Sequence, residues 1–190
     1  MNDAITVYCA SATNLPDVYI AAAQQLGSVI AKKGLTLITG AGRTGLMGAI
    51  ADAALANGGK VVGIIPQFMV ERSWNHTGLS QILTVKSMHE RKATMAAMSR
   101  AAIALPGGIG TFEELTEIIT WRQLGLFSGN IVIYNVNDYY APLLQMLDKA
   151  IDEGFMRPDH RKLFSVVSTA EEAVEAALDN NAQQSFSPKF

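Results

Sequence analysis

A chain of 190 residues, 49% apolar and 17% charged, has an ordinary globular composition and room for a sizeable core. Its formal net charge of −2 excludes the basic surface of a general nucleic-acid binder, and no apolar run approaches the roughly 18 residues of a membrane span. A single cysteine, Cys9, excludes an internal disulfide and fits a reducing, cytoplasmic setting. The first residues lack the pattern of a signal peptide, and His76, His89 and His160 lack metal-ligand spacing, so no metal is expected.

Short β-rich runs alternate with helical patterns along the chain. Strands are predicted at 5–9, 35–39, 61–65, 82–85, 101–105, 131–134 and 165–167. Between the first two, residues 17–33 carry Tyr19, Ala22, Leu26, Val29 and Ile30 at helical spacing. Gly34 ends that helix, and Gly58-Gly59 end the next. The strands are almost uniformly apolar, as when both sheet faces are covered. The fold class is therefore α/β: a Rossmann-like, doubly wound, mostly parallel sheet with helices on both faces. One domain over 1–180 and a polar tail over 181–190 are expected. Residues 67–80 read as a long polar connection, of the kind that often carries function.

Ligands of such sheets sit beyond the carboxyl ends of the strands, at a switch in strand order. That draws attention to Cys9-Ala10-Ser11, to Thr39-Gly40-Ala41-Gly42 and above all to Pro106-Gly107-Gly108-Ile109-Gly110-Thr111. In the last, a strand ends near Pro106 and a helix opens near Thr111. Main-chain N–H groups at such a junction lack intrahelical partners and, with the helix dipole, make a phosphate site. Glu113 and Glu114 follow inside that helix, where they would repel a phosphate unless they handle another part of the ligand.

Gly40-Ala41-Gly42-Arg43-Thr44-Gly45 matches the G-x-G-x-x-G dinucleotide fingerprint. The acidic residue expected about 20 positions later is missing, which disfavours NAD. These glycines serve either a tight turn and close packing or, with the 107–110 loop, a phosphorylated ligand held between two loops. In Met88-His89-Glu90-Arg91-Lys92, Arg91 and Lys92 share a helical stripe with Met88 and Met95. They either face a cleft or snorkel from a helix edge. Glu114 shares a stripe with Ile118 and Trp121 and is the better inward carboxylate; Glu113 lies with Glu117 and Thr120.

The 88–92 and 106–114 motifs together resemble the paired signature of the Lonely Guy family, cytokinin-activating phosphoribohydrolases long misnamed lysine decarboxylases. The similarity runs through Tyr8-Cys9-Ala10-Ser11, Gly45-Leu46-Met47-Gly48, the segment 119–125 and Asp138-Tyr139-Tyr140-Ala141-Pro142. It implies hydrolysis of the N-glycosidic bond of N6-substituted adenosine 5′-monophosphates, or of AMP, to free base and ribose 5-phosphate. It also implies Arg91 and Glu114 as catalytic residues and Gly107, Gly108, Ile109, Gly110 and Thr111 as the phosphate loop. Lys92, Glu113 and Thr120 would contact substrate; from the glycine motif alone, Gly40, Gly42 and Gly45 are candidates for a second phosphate or ribose loop. No cofactor is implied, and a homodimer with shared active sites is. Two departures stand out: Ser73 where many relatives carry glutamate, and Ala41 within what is often three consecutive glycines. The alternatives are a nucleotide or molybdenum-cofactor carrier on the same fold and an NAD-dependent oxidoreductase. A pyridoxal-phosphate decarboxylase fails because Lys92 lacks the partners its cofactor needs.

Overall fold

The computed structural model describes residues 3–180; the tail read at 181–190 lies outside the described residues. Seven strands form one sheet: β1 (Ala4–Tyr8), β2 (Thr36–Thr39), β3 (Lys60–Pro66), β4 (Gln81–Val85), β5 (Ala101–Ala104), β6 (Asn130–Tyr134) and β7 (Ser165–Val167). Every pairing is parallel, in the order β4-β3-β2-β1-β5-β6-β7. The chain thus winds outward from β1 to β4, returns beside β1 as β5 and winds out the other way. The switch in strand order falls between β1 and β5.

Among the described residues six α-helices connect them, α1 (Asp17–Lys32), α2 (Gly45–Ala56), α3 (Gln67–Glu71), α4 (Met88–Ala97), α5 (Ile109–Gln123) and α6 (Ala141–Asp152), and α7 (Ala170–Leu178) follows β7. Alternation along the buried strands divides the core in two. Ile5, Val7, Leu37, Val61, Ile103 and Val132 pack with Leu26 and Ile30 of α1, Leu46 and Ile50 of α2 and Val174 of α7. Tyr8, Ile38, Val62, Ile64, Ala102 and Ile133 face the opposite way, onto Met95 of α4 and Leu115, Ile118 and Ile119 of α5. The layer of α4 and α5 contributes the ionisable side chains of the cleft described below. Among the described residues no helix is long and apolar enough to cross a membrane.

The connection at 67–80 is more ordered than its polar composition suggests. It contains α3, and Asn75 pairs with Gly42 in an isolated antiparallel bridge. Arg43 N–H donates to Trp74 O at 3.2 Å and His76 N–H to Ala41 O at 2.8 Å, while His76 Nε2 lies 2.8 Å from Asp52. These bonds pin the connection against the second glycine loop. They join residues far apart in sequence, so composition alone does not reveal them.

Candidate active site

Three loops meet at the switch point. Leu105 N–H donates to Tyr8 O at 2.9 Å and Ala10 N–H to Pro106 O at 3.1 Å, so the loop after β1 continues the sheet beside the loop after β5. Met47 N–H reaches Ala10 O at 3.1 Å, and the Thr44 hydroxyl donates to Ser11 O at 2.7 Å, which ties in the start of α2. Above these ends lies a cleft of about 310 Å³. Residues 9–12, Gly40, Gly42, Gly108, Gly110 and Thr111 line it together with Arg91, Glu113, Glu114 and the side chains of Met47, Met69 and Met88.

Helix α5 opens at Ile109, two residues earlier than the sequence suggests, because Gly108 serves as N-cap in an extended conformation. No side chain caps the helix. The N–H groups of its first turn lack intrahelical acceptors, and this end carries partial positive charge. The loop before it is held by two phenols. Tyr139 Oη donates to Gly107 O at 2.5 Å and Tyr140 Oη to Leu105 O at 2.7 Å. Tyr139 also packs on Phe112, Tyr19 and Tyr140. The sequence gives Tyr139 and Tyr140 as part of a family-like segment without revealing that their hydroxyls fix the glycine loop.

Glu114 lies one turn into α5, about 5 Å along the axis from Thr111, and is 8% exposed. Its carboxyl pKa is pushed up to about 7 by burial; Arg91 opposes that rise, and Glu113 adds to it. Arg91 Nη1 lies 3.4 Å from Glu114 Oε1, and both side chains are buried. The guanidinium is further held by Ile64 O, which accepts from Nε at 3.1 Å, and by Gly40 O, which accepts from Nη2 at 3.3 Å. Arg91 is therefore no snorkelling side chain. Ser87 positions its helix by accepting from Glu90 N–H at 3.1 Å, and the Glu90 carboxylate accepts from Lys86 N–H at 2.7 Å. Within the 88–92 motif, Glu90 thus secures the helix start while Arg91 reaches the cleft.

The remaining sequence candidates separate into groups. Lys92 is buried but does not line the cleft; its ammonium donates to Glu113 and, at 3.1 Å, to Glu117. It touches the site only through Glu113. Thr120 is exposed on α5, and its hydroxyl donates to Thr116 O at 2.8 Å, away from the cleft. Ile109 is 81% exposed. Gly107 borders a second, adjoining cavity of about 260 Å³ with Leu15, Tyr19, Leu46 and Tyr139. Gly45 lies outside the cleft and is required by packing: its φ is +62°, and a Cβ there would lie 2.3 Å from Ala12 O. Ser73 is exposed, has a φ of +57° and does not line the cleft; Ala41 takes a φ of +61° and is fully buried. Cys9 is buried and lines the cleft, where desolvation pushes its thiol far up. Met47, Met69 and Met88 also line the cleft, and the sequence does not group them because they come from three separate helices.

Comparison with known proteins adds independent findings. A family model described as "Possible lysine decarboxylase" matches residues 47–177. A protein of Oryza sativa subsp. japonica named "Probable cytokinin riboside 5'-monophosphate phosphoribohydrolase" is 40% identical over 94% of this chain and 73% of its own length. The cytokinin riboside 5'-monophosphate phosphoribohydrolase of Rhodococcoides fascians is 43% identical over 90% of this chain and 87% of its own. Among solved structures, the molybdenum cofactor carrier protein from Chlamydomonas reinhardtii aligns with a TM-score of 0.69 and 20% identity, covering 91% of this chain and 94% of that one. At that identity the likeness is one of fold.

Proposed function

The chain belongs to the family of cytokinin riboside 5'-monophosphate phosphoribohydrolases, and we propose that it hydrolyses the N-glycosidic bond of adenosine 5′-monophosphates, N6-substituted or plain. The observation that carries this reading is the buried Arg91–Glu114 pair beside the uncapped start of α5. The start of α5, from Gly108 to Thr111, would take the 5′-phosphate on main-chain N–H groups. A ribose anchored there would extend one helical turn toward Glu114, and the base would lie against Met47, Met69 and Met88, whose thioethers accept flat or flexible apolar groups.

Cleavage sends the C1′–N9 electron pair to the base, which takes up a proton from solvent, leaves positive charge on the sugar and is completed when water adds its hydroxyl to C1′. Glu114 would stabilise that charge and accept the water's proton. A carboxyl that titrates near pH 7 suits this work, because it is ionised often enough to act yet basic enough to take a proton. A guanidinium is a poor proton donor, so Arg91 would orient Glu114 and balance charge. Lys92 would act indirectly by fixing Glu113 at the cleft wall. Decarboxylation through pyridoxal phosphate does not fit these residues: among the described residues no lysine lines the cleft, and Lys92 is held by Glu113 and Glu117.

Exposed apolar side chains, including Leu126 and Phe155, support a homodimer, which light scattering would test. The reaction is tested by incubating the protein with isopentenyl-AMP and with AMP and measuring free base by chromatography. Release of base together with ribose 5-phosphate supports the assignment. Binding of AMP without release would instead favour a carrier.

A further inference from the structure

Gly40 ends the strand-to-loop passage after β2. Glycine at such a place is ordinarily explained by a left-handed backbone or by close approach of a ligand. The first reason does not apply, since Gly40 has no positive φ, whereas its neighbour Ala41 does. A different reason is visible in the side chain that faces it. A Cβ built on Gly40 would lie 1.6 Å from Arg91 Nη2 and 2.8 Å from Arg91 Cζ, with Met47 Cε next at 3.2 Å. The Arg91 guanidinium occupies the volume that any side chain at position 40 would take.

We propose that Gly40 is a positioning residue, whose missing side chain sets where the Arg91 guanidinium lies and hence its distance from Glu114. The proposal rests on the phosphoribohydrolase reading for its catalytic meaning but not for its geometry. Both atoms that a new Cβ would meet inside 3 Å belong to the end of one flexible side chain, so the fold can absorb a methyl group there. The site cannot, because Arg91 would have to withdraw from Gly40 O and Ile64 O, and with them from Glu114.

Glu114 is faced by Arg91 and Lys92 from α4, by Glu113 and Glu117 on its own helix, by Tyr8 at the end of β1 and Cys9 just after it, and by Tyr140. Of the two cations, Arg91 makes the direct contact, while Lys92 is engaged by Glu113 and Glu117. Moving Arg91 away removes the main influence that opposes burial at the Glu114 carboxyl. Its titration would shift to higher pH.

The test compares four proteins: wild type, Gly40→Ala, Arg91→Ala and the double variant. Two quantities are read: base release from AMP across pH, and the Glu114 carboxyl titration by carbon-13 NMR. Gly40→Ala is expected to lower kcat/KM by roughly 10²-fold, in the range seen when one electrostatic contact is lost, and to raise the Glu114 midpoint. In the Arg91→Ala background the same substitution should change neither quantity further, because the space is then empty. Effects that multiply in the double variant, or a Glu114 midpoint unmoved by Gly40→Ala, would overturn the proposal. Should Gly40→Ala fail to fold, recovery of folding in the double variant upholds the competition for space, and failure of both overturns it. Absence of base release by the wild type would refute the reaction while the NMR comparison still decides the role of Gly40.

Discussion

Replacing Glu114 by glutamine separates stability from activity in opposite directions. The carboxyl has an ordinary value of 4.5 and is pushed to about 7 in the folded protein, chiefly by burial. Between these values the unfolded chain has released this proton while the folded chain still holds it. Stability associated with Glu114 is therefore fully present below pH 4.5 and is lost as pH rises through about 7. At about 1.4 kcal/mol per pH unit, the folded protein loses about 3 kcal/mol across this window. Glutamine preserves the shape, accepts from Arg91 and does not titrate. The measurement is chemical denaturation of both proteins in steps from about pH 4 to pH 8. Their difference in unfolding free energy should move by about 3 kcal/mol in favour of glutamine toward high pH. All other titrating groups are shared, so they largely cancel. Base release by the variant should fall by roughly 10²–10³. A stability difference that stays flat with pH would refute the claim that Glu114 is a desolvated carboxyl, and with it the proposed tuning of the site.

Arg91→Ala should cost a similar roughly 10²–10³ in base release and shift the acidic limb of the pH–rate profile to higher pH, since the Glu114 carboxyl loses its opposing charge; steady-state assays across pH check both. Tyr140→Phe removes the donor to buried Leu105 O and should lower stability by about 1–2 kcal/mol in urea. Tyr139→Phe frees Gly107 O and should raise KM for AMP roughly fivefold at nearly constant kcat, the equivalent of one net hydrogen bond. Gly45→Ala meets the main chain at Ala12 O with a left-handed φ and should destabilise the fold by about 2–4 kcal/mol, measured by denaturation.

How far the sequence reveals this protein depends on the range of the interactions concerned. All seven strands are predicted to within about two residues, because a parallel sheet covered on both faces demands short, unbroken apolar runs. The inward turn of Glu114 is likewise local, since it shares one helical stripe with Ile118 and Trp121, and Ile118 is buried. Arg91 is harder to read. A cation among methionines fits either a cleft or a helix edge, and only Ile64 O, Gly40 O and Glu114, brought together by the sheet, decide between them. Thr120 illustrates the same limit: its helical position aligns it with Glu113 and Glu117, yet its hydroxyl turns back to Thr116 O.

The two glycine loops differ for a reason that no motif contains. Gly45 answers to its own torsion and to the loop after β1, so a fingerprint built on turns describes it well. Gly40 answers to a side chain 51 residues away. A buried carboxyl kept near neutrality needs a cation close enough to restrain it, yet not so close that it stays ionised at every pH. Fixing that distance requires a rigid stop on the far side of the guanidinium. The main chain just after β2 and within β3 supplies it through Gly40 O and Ile64 O, and a bare Cα at position 40 is what lets the guanidinium reach it.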